Sequence, residues 1–316
     1  MASSSIDPLA QVVALLQPTA PFSKSVSGAG RWLVRRSEAG RPYYCAVIEG
    51  GCRLEVDGQK PLLLHQEDFC LIPSAYDFTM SSLLPATPED LVTFPVALPD
   101  GELRVGPLDG PPDVRLLMGY CVFGSPDVAL LLSLLPEFVL VRGEKRLSTL
   151  VELVGEESRN RRPARDVVLA HLLEVLLIEA LRCPRDSATS SGLLRGLADE
   201  RLAAVLRRIH ESPTLPWTAA SLAKEAALSR SVFFQRFRRA VGVAPMEYVL
   251  AWRMALAKNL LQRKEGNVAQ VAAQVGYSSP STFSVAFTRH VGVPPARYAR
   301  EGGGALADVA DRLKQT

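Results

Sequence analysis

One stretch of the sequence occurs twice, at a constant offset of 50 residues. Residues 229–248 read SRSVFFQRFRRAVGVAPMEY and residues 279–298 read SPSTFSVAFTRHVGVPPARY, with ten of the twenty positions identical. Because both copies must satisfy the same physical interpretation, an internal repeat constrains the fold more than any single motif does.

Each copy has the features of one capped helix. A serine begins it and is a favoured N-cap, because its hydroxyl accepts a hydrogen bond from a first-turn N–H group. Two phenylalanines four residues apart lie on one helical face, which must be buried. A glycine suited to a left-handed C-cap follows, and then a proline that the helix cannot contain. These residues are Ser229, Phe233, Phe237, Gly242 and Pro245 in the first copy, and Ser279, Phe283, Phe287, Gly292 and Pro295 in the second.

A short alanine-rich segment, predicted to be helical, precedes each copy at residues 218–226 and 268–275. Helix, sharp turn and capped helix is the order of a helix-turn-helix motif. The face opposite the phenylalanines could then reach base edges or phosphates in a major groove. It carries Ser231, Phe234, Gln235, Arg238 and Arg239 in the first copy, and Ser281, Ser284, Val285, Thr288 and Arg289 in the second. A solvated polar face is the alternative, and the repeat disfavours it.

Residues 199–300 resemble the DNA-binding domain of the AraC/XylS family of transcriptional regulators. The resemblance rests on Trp217-Thr218, Leu222-Ala223, Arg253, Gly276-Tyr277, Pro294 and Tyr298, together with the repeated phenylalanines, glycines and prolines. It implies two helix-turn-helix units joined by a long helix at residues 245–262. Family members often have a longer polar residue where this chain has Val285, so we expect the first copy to carry more of the direct base readout.

The distribution of charge fits a polyanionic partner for the C-terminal part. Residues 199–316 contain 17 Lys and Arg against nine Asp and Glu, whereas residues 1–198 contain 19 against 24. A basic half favours double-stranded DNA, and an acidic half avoids it. Phosphate contacts are expected from Arg230, Arg238, Arg239 and Arg289, and from the helix N-termini at Ser229 and Ser279.

The N-terminal part is predicted to be rich in β-structure. Short strand-like runs occur at residues 31–35, 43–48, 52–56, 61–64 and 69–72, with turn signals at 49–51 and 57–59. We also expect a strand at 102–105 and a last strand at 114–123. Many short strands separated by turns indicate a barrel or a sandwich.

The order of these strands resembles a cupin over residues 6–125, and Glu67–Pro73 is similar to the cupin GDxxxxP segment. Cupin enzymes hold a metal with histidines, but the corresponding positions offer tyrosines, and the four histidines of the chain are scattered in sequence. We therefore expect neither a metal nor another cofactor. If an effector pocket exists, the first candidates to line it are Tyr43, Tyr44, Tyr76 and Phe78. Simple packing in the barrel wall is the alternative for these aromatic residues.

The complete prediction is an α+β chain of two domains. Residues 1–182 form a cupin-like sensor and dimerisation domain with an opening helix at 5–17 and helices at 126–135, 146–158 and 164–182. Residues 183–197 are a linker, 198–301 an AraC-type DNA-binding domain of two helix-turn-helix units that opens with a helix at 198–211, and 302–316 a tail. The apolar helix at 164–182 either forms a homodimer or is buried in the monomer.

The sequence thus predicts a sequence-specific transcription regulator controlled by a small-molecule effector. The family resemblance implies an activator that contacts RNA polymerase. With five cysteines without CxxC spacing, no secretory signal and no membrane-spanning segment, a cytoplasmic location is expected. Two alternatives remain. One is an oxidant sensor using Cys45, Cys52, Cys70 and Cys121, which are otherwise small buried hydrophobes. The other, disfavoured by the missing histidines, is a cupin-type enzyme fused to a binding module.

Overall fold

The computed structural model describes residues 7–56, 60–84, 93–99, 101–125, 128–136, 138–159, 162–183 and 192–301. These residues fold as two units. The sheet unit consists of residues 17–123 and 136–189, and the helical unit of residues 1–16, 124–135 and 190–316. The predicted division at the 183–197 linker differs from this grouping, because two segments from the N-terminal part pack in the helical unit.

The strands of the described part form one curled half-barrel. They are β1 (Pro18–Gly28), β2 (Leu33–Val56), β3 (Leu62–His65), β4 (Phe69–Ser81), β5 (Val96–Ala97), β6 (Leu103–Val105), β7 (Val114–Phe123) and β8 (Val139–Val141). Their order is β5-β6-β1-β7-β2-β4-β8, with β3 paired to β2. The long strand β2 bends so strongly that Leu33 and Arg53 both pair with Ser81.

The predicted turn at residues 49–51 is wrong, because β2 runs through it. Gly50 has a φ of +72° at an irregularity in the pairing of β2 with β7. A Cβ at this position would lie 1.9 Å from the Asp113 carbonyl oxygen, so only glycine allows this close approach of the two strands. The predicted strands at 31–35, 43–48 and 52–56 therefore belong to one continuous element. The other predicted turn, at 57–59, lies outside the described residues.

Alternation along the strands divides the sheet into two apolar faces. Tyr43, Cys45, Cys70 and Met118 face the interior of the half-barrel. The intervening residues face away from it, and Leu117 on this outer face approaches Gly155 of helix α3 (Lys145–Arg159). Helix α4 (Arg165–Arg182) packs beside α3 and buries the leucine stripe Leu169, Leu173, Leu176, Leu177 and Leu181. Strand β7 is buried along most of its length on both faces, so its sequence reads as nearly continuously apolar.

The helical unit contains ten helices in the described part. They are α1 (Pro8–Leu16), α2 (Val128–Ser133), α5 (Leu193–Ala198), α6 (Glu200–Glu211), α7 (Ala219–Glu225), α8 (Arg230–Val241), α9 (Pro245–Gln262), α10 (Val268–Gln274), α11 (Pro280–Val291) and α12 (Pro295–Glu301). The predicted helices of the repeat region are confirmed within about two residues. Helix α5 begins in the predicted linker at 183–197 and ends one residue beyond it, and the predicted tail is outside the described residues.

A buried polar chain ties the N-terminal helix to this unit. His210 on α6 lies 2.8 Å from Gln11 of α1 and 2.7 Å from the Tyr248 hydroxyl of α9. Its ring stacks on Trp252, with ring centroids 3.8 Å apart. Burial lowers the pKa of His210 to about 3, so the imidazole is neutral at physiological pH. The contact between Gln11 and His210 could not be predicted from the sequence, because these residues are 199 positions apart.

Candidate nucleic-acid interface

The two copies of the repeat fold into two similar helices, α8 and α11. Ser229 accepts a hydrogen bond from the Val232 N–H group at 3.4 Å, and Ser279 accepts from Thr282 at 3.5 Å. Gly242 and Gly292 end the helices in the left-handed conformation, with φ of +92° and +87°. The predicted caps are therefore confirmed at both ends of both helices.

Equivalent aromatic residues anchor each helix. Phe233 and Phe237 are fully buried with centroids 5.6 Å apart, and Phe237 meets the edge of Tyr248 at 5.8 Å. In the second copy the same two contacts recur among Phe283, Phe287 and Tyr298, with ring centroids 5.4 Å apart in both pairs. This burial fixes the rotation of each helix about its axis, so the opposite face must point outward.

A capped short helix precedes each anchored helix. In α7, Thr218 and Ser221 form a capping box, and in α10 Asn267 and Gln270 do the same. Asn267 was not predicted as a cap, although an Asn three residues before a Gln is a recognisable capping signal. A single residue with positive φ turns the chain after each short helix. It is Ala227 at +50° in the first pair and Gly276 at +83° in the second.

The predicted contact residues of α8 lie on its outer face. Those exposed are Ser231, Phe234, Gln235, Arg238 and Arg239, with Arg230 at the helix start. Within the described part of the chain, none of these side chains except Ser231, which contacts Ser229, has a polar partner. The neighbouring Arg236 differs, because it donates to Asp199 at 2.5 Å. Arg236 therefore stabilises the fold, whereas the side chains of Arg230, Arg238 and Arg239 remain available to bind a partner.

The outer face of α11 is less polar. Val285 is 70% exposed, and Ser281 and Arg289 are also exposed. Ser284 and Thr288 are half-buried rather than exposed. Their hydroxyls donate to carbonyl oxygens one turn earlier, at 2.8 and 2.7 Å. The Ser281 hydroxyl lies 2.6 Å from that of Ser279. Several polar groups of this face are therefore engaged within their own helix.

Arg253 on α9 connects the two helix pairs. Its guanidinium donates to the carbonyl oxygens of Pro213 and Leu215, at 2.8 and 2.6 Å. Gly276 packs so closely that a Cβ there would lie 2.9 Å from this guanidinium. The arginine on α9 thus holds the loop before the first pair against the turn of the second.

The predicted effector-pocket residues are divided between the two faces of the sheet. Tyr43 and Phe78 lie in the half-barrel interior with ring centroids 4.6 Å apart, and the Tyr43 hydroxyl donates to the sulfur atoms of Met80 and Met118. Tyr44 is buried on the outer face, and the side chain of Tyr76 lies outside the described residues. The interior cavity beside Tyr43 has a volume of only about 20 Å³.

The candidate sensor cysteines are also divided. Cys45, Cys52 and Cys70 lie in the interior, whereas Cys121 lies on the outer face beside Tyr44. Burial raises the pKa of Cys52, and it raises that of Cys121 to about 12. A hydrogen bond with Cys45, together with burial, raises the pKa of Cys70. Thiols held protonated in this way are poor nucleophiles, which disfavours an oxidant sensor.

Across the described ranges, no three His, Cys, Asp or Glu side chains come together as a group that could hold a metal ion. Among the helices assigned in those ranges, none is long and apolar enough to cross a membrane.

The folds of the two units agree with two known protein families. A family described as cupin matches residues 7–184, and a helix-turn-helix domain family matches residues 222–301. The cupin match includes α1 and α2, although these helices pack in the helical unit. Fold and surface together define a DNA-binding regulator with a cupin-like domain.

Relatives over nearly the full length make the identification specific. A protein of Streptomyces lividans described as an AraC-like transcription regulator is 36% identical over 302 residues, which cover 93% of this chain and 98% of the relative. One from Streptomyces antibioticus is 35% identical, covering 93% and 99%. The solved DNA-binding domain of AdpA with target DNA is 32% identical, covers 31% of this chain and 88% of that domain, and has a TM-score of 0.30. The chain belongs to the AraC-like transcription regulators.

Proposed function

We propose that α7–α8 and α10–α11 are two helix-turn-helix units, and that α8 and α11 are their recognition helices. The observation that carries this proposal is the shared construction of α8 and α11. Each has a serine N-cap, a buried phenylalanine pair, a glycine C-cap and an outward face. The rigid helix α9 joins them, so both would enter major grooves on one side of DNA, about one helical turn (~34 Å) apart.

The two helices contribute differently to specificity in this proposal. The Gln235 amide, without a hydrogen-bond partner among the described residues, suits the N6 and N7 atoms of adenine. Arg230, Arg238 and Arg239 suit guanine or phosphate oxygens. Val285 can contact a thymine methyl group and little else. The first helix therefore carries most of the direct readout, and the second contributes shape, the Arg289 charge and one apolar contact.

Control by a small-molecule effector through the cupin-like unit is part of the proposal. The cupin family match supports it, but a cavity of about 20 Å³ is far below the roughly 300–1,000 Å³ of typical ligand pockets. An effector in the half-barrel would therefore have to displace packed side chains such as Tyr43. We further propose a homodimer through α3 and α4, where Leu153, Val168 and Val175 are exposed. Contact with RNA polymerase is proposed from the family alone.

Three substitutions test the readout. Gln235→Ala should weaken binding to the preferred site by about 1–3 kcal/mol and relax the preference at one base pair. Arg239→Ala should weaken binding to all sequences, and the slope of log K against log salt concentration should become shallower by about one, as expected for the loss of one phosphate contact. Val285→Ala should affect only a position that prefers thymine.

The measurement is DNA affinity at two salt concentrations, on the preferred site and on sites with single base changes. Arg162→Ala, an exposed arginine of the sheet unit, is the charge-matched control and should have little effect. Equal loss of affinity for every sequence in Gln235→Ala would refute direct readout by this amide.

A further inference from the structure

The helical unit contains a second, larger cavity beside α9. Its volume is about 270 Å³. The helices α2, α9 and α11 and the segment before α9 supply its wall, which is formed by Leu131, Leu134, Val243, Glu247, Tyr248, Leu250, Ala251, Trp252 and His290. It is the wall of a pocket for an apolar molecule, with a few polar groups that could orient it.

The residues that line the cavity include both buried and exposed side chains. Leu131, Leu134 and Trp252 are buried, with at most 4% of each side chain exposed. Glu247, Leu250 and His290 are exposed at the surface. A ligand in the cavity would therefore bury its apolar body against leucine and indole, with a carboxylate and an imidazole at the exposed side.

Trp252 adds a second observation that points to a ligand. Its indole is 2% exposed, and its Nε1–H group has no hydrogen-bond partner within the described residues. By contrast, the indole of Trp217 donates to the Ser212 carbonyl oxygen at 3.0 Å. The Tyr248 hydroxyl is already engaged with His210. Buried donors are nearly always satisfied, and leaving one unpaired costs about 1–3 kcal/mol.

We propose that this cavity binds a small aromatic or alicyclic molecule that carries one oxygen acceptor, and that this oxygen accepts a hydrogen bond from Trp252 Nε1–H. A dry cavity of about 150 Å³ holds benzene. A cavity not quite twice that size suits a two-ring molecule of roughly ten to twelve non-hydrogen atoms. A long-chain lipid does not fit.

The position of the cavity gives such a ligand a route to DNA binding. Its wall includes residues of α9, which joins the two helix pairs, and His290 near the end of α11. An occupant would therefore contact both the connecting helix and the second recognition helix. This consequence rests on the proposed function, whereas binding in the cavity does not. We expect occupancy to change DNA affinity about fivefold or more.

The test uses the full chain with ¹⁵N-labelled tryptophan and 1-naphthol as the probe. The chain has three tryptophans, so three indole N–H signals are expected, and Trp252→Phe identifies the relevant one. Adding 1-naphthol should shift the Trp252 proton signal downfield and leave the Trp32 and Trp217 signals in place. Naphthalene, of nearly equal size but without the oxygen, should cause no such downfield shift.

Two variants that fill the cavity, Ala251→Leu and Leu131→Phe, and one surface variant, Ala204→Leu, provide the structural control. Ala251→Leu should abolish the response to 1-naphthol, whereas Ala204→Leu at an exposed position of α6 should retain it. Leu131→Phe serves the same purpose if Ala251→Leu lowers the melting temperature severely. No downfield shift, or an equal shift with naphthalene, would overturn the assignment of Trp252. A response that persists in both filled variants would overturn the site.

DNA affinity measured with and without 1-naphthol separates the two levels of the argument. A change in DNA affinity on adding 1-naphthol to the wild-type protein, absent in Ala251→Leu, supports coupling between the cavity and DNA binding. Binding of 1-naphthol without a change in affinity would refute the coupling but not the site. Absence of sequence-specific DNA binding in the ligand-free protein would instead refute the proposed function, and it would leave the spectroscopic result intact.

Discussion

Replacing Gly276 with alanine should damage the junction between the two helix pairs. Three glycines of the helical unit share nearly the same backbone conformation, with φ of +83° at Gly276, +92° at Gly242 and +87° at Gly292. Their surroundings differ. A Cβ at Gly242 or Gly292 meets nothing within 4 Å. At Gly276 it would lie 2.8 Å from the Pro213 carbonyl oxygen and 2.9 Å from the Arg253 guanidinium.

The expected magnitudes follow from these distances. An L-residue in the left-handed region costs roughly 1–2 kcal/mol, and all three alanine variants share this cost. Gly276→Ala must in addition push backbone atoms aside, and such overpacking typically costs about 1–3 kcal/mol. The free energy of unfolding of the helical unit should therefore fall about 1–3 kcal/mol further in Gly276→Ala than in Gly242→Ala or Gly292→Ala.

Urea unfolding followed by tryptophan fluorescence measures this difference. In a Trp32→Phe background the remaining tryptophans, Trp217 and Trp252, both lie in the helical unit and report on it alone. Because the strain falls where Arg253 holds the pairs together, we also expect DNA affinity to fall more in Gly276→Ala than in the two controls. Equal destabilisation by all three substitutions would refute the argument from close packing and leave only the cost of backbone conformation.

Two further predictions concern buried groups. Since burial lowers the pKa of His210 from about 6.5 to about 3, the unfolded chain binds a proton between these values that the folded chain does not, and acid must destabilise the helical unit. Between pH 7 and pH 5 the free energy of unfolding of the helical unit, measured with urea, should fall by about 2 kcal/mol because of this residue. His210→Gln should remove this contribution to the pH dependence. An unchanged pH dependence in the variant would contradict the prediction. A thiol reagent should modify the half-buried Cys183 first and the four buried cysteines only on unfolding. Rapid modification of Cys45 or Cys70 in the folded protein would revive the oxidant-sensor alternative.

Local signals allowed the repeat region to be predicted closely. Serine caps, phenylalanine spacing and C-cap glycines act within one helix, so the limits of α8 and α11 and the identity of their outward faces follow from neighbouring residues. The positive φ of Ala227 was not predictable in the same way. Alanine has no preference for that conformation, and the surrounding helices impose it.

The sheet could be predicted as a class but not in detail. The Pro-, Ser- and Lys-containing segment that forms β1 has little strand character of its own, and its pairing with β7 creates the strand. The continuity of β2 through Gly50 depends on the approach of Asp113, more than sixty residues later. Likewise, the cavity beside Trp252 is lined by residues of both α2 and α9, over a sequence separation that no local pattern reveals.

Selection from a pool of random-sequence DNA by the purified protein, at two salt concentrations, tests the central claim most directly. We expect enrichment of a site with two half-elements about one helical turn apart, and affinity that falls steeply with salt. The half-element read by α8 should be the better defined of the two, and Gln235→Ala should relax it. Salt-dependent binding without enrichment, or no binding by folded protein, would contradict the proposal that α8 and α11 read DNA sequence.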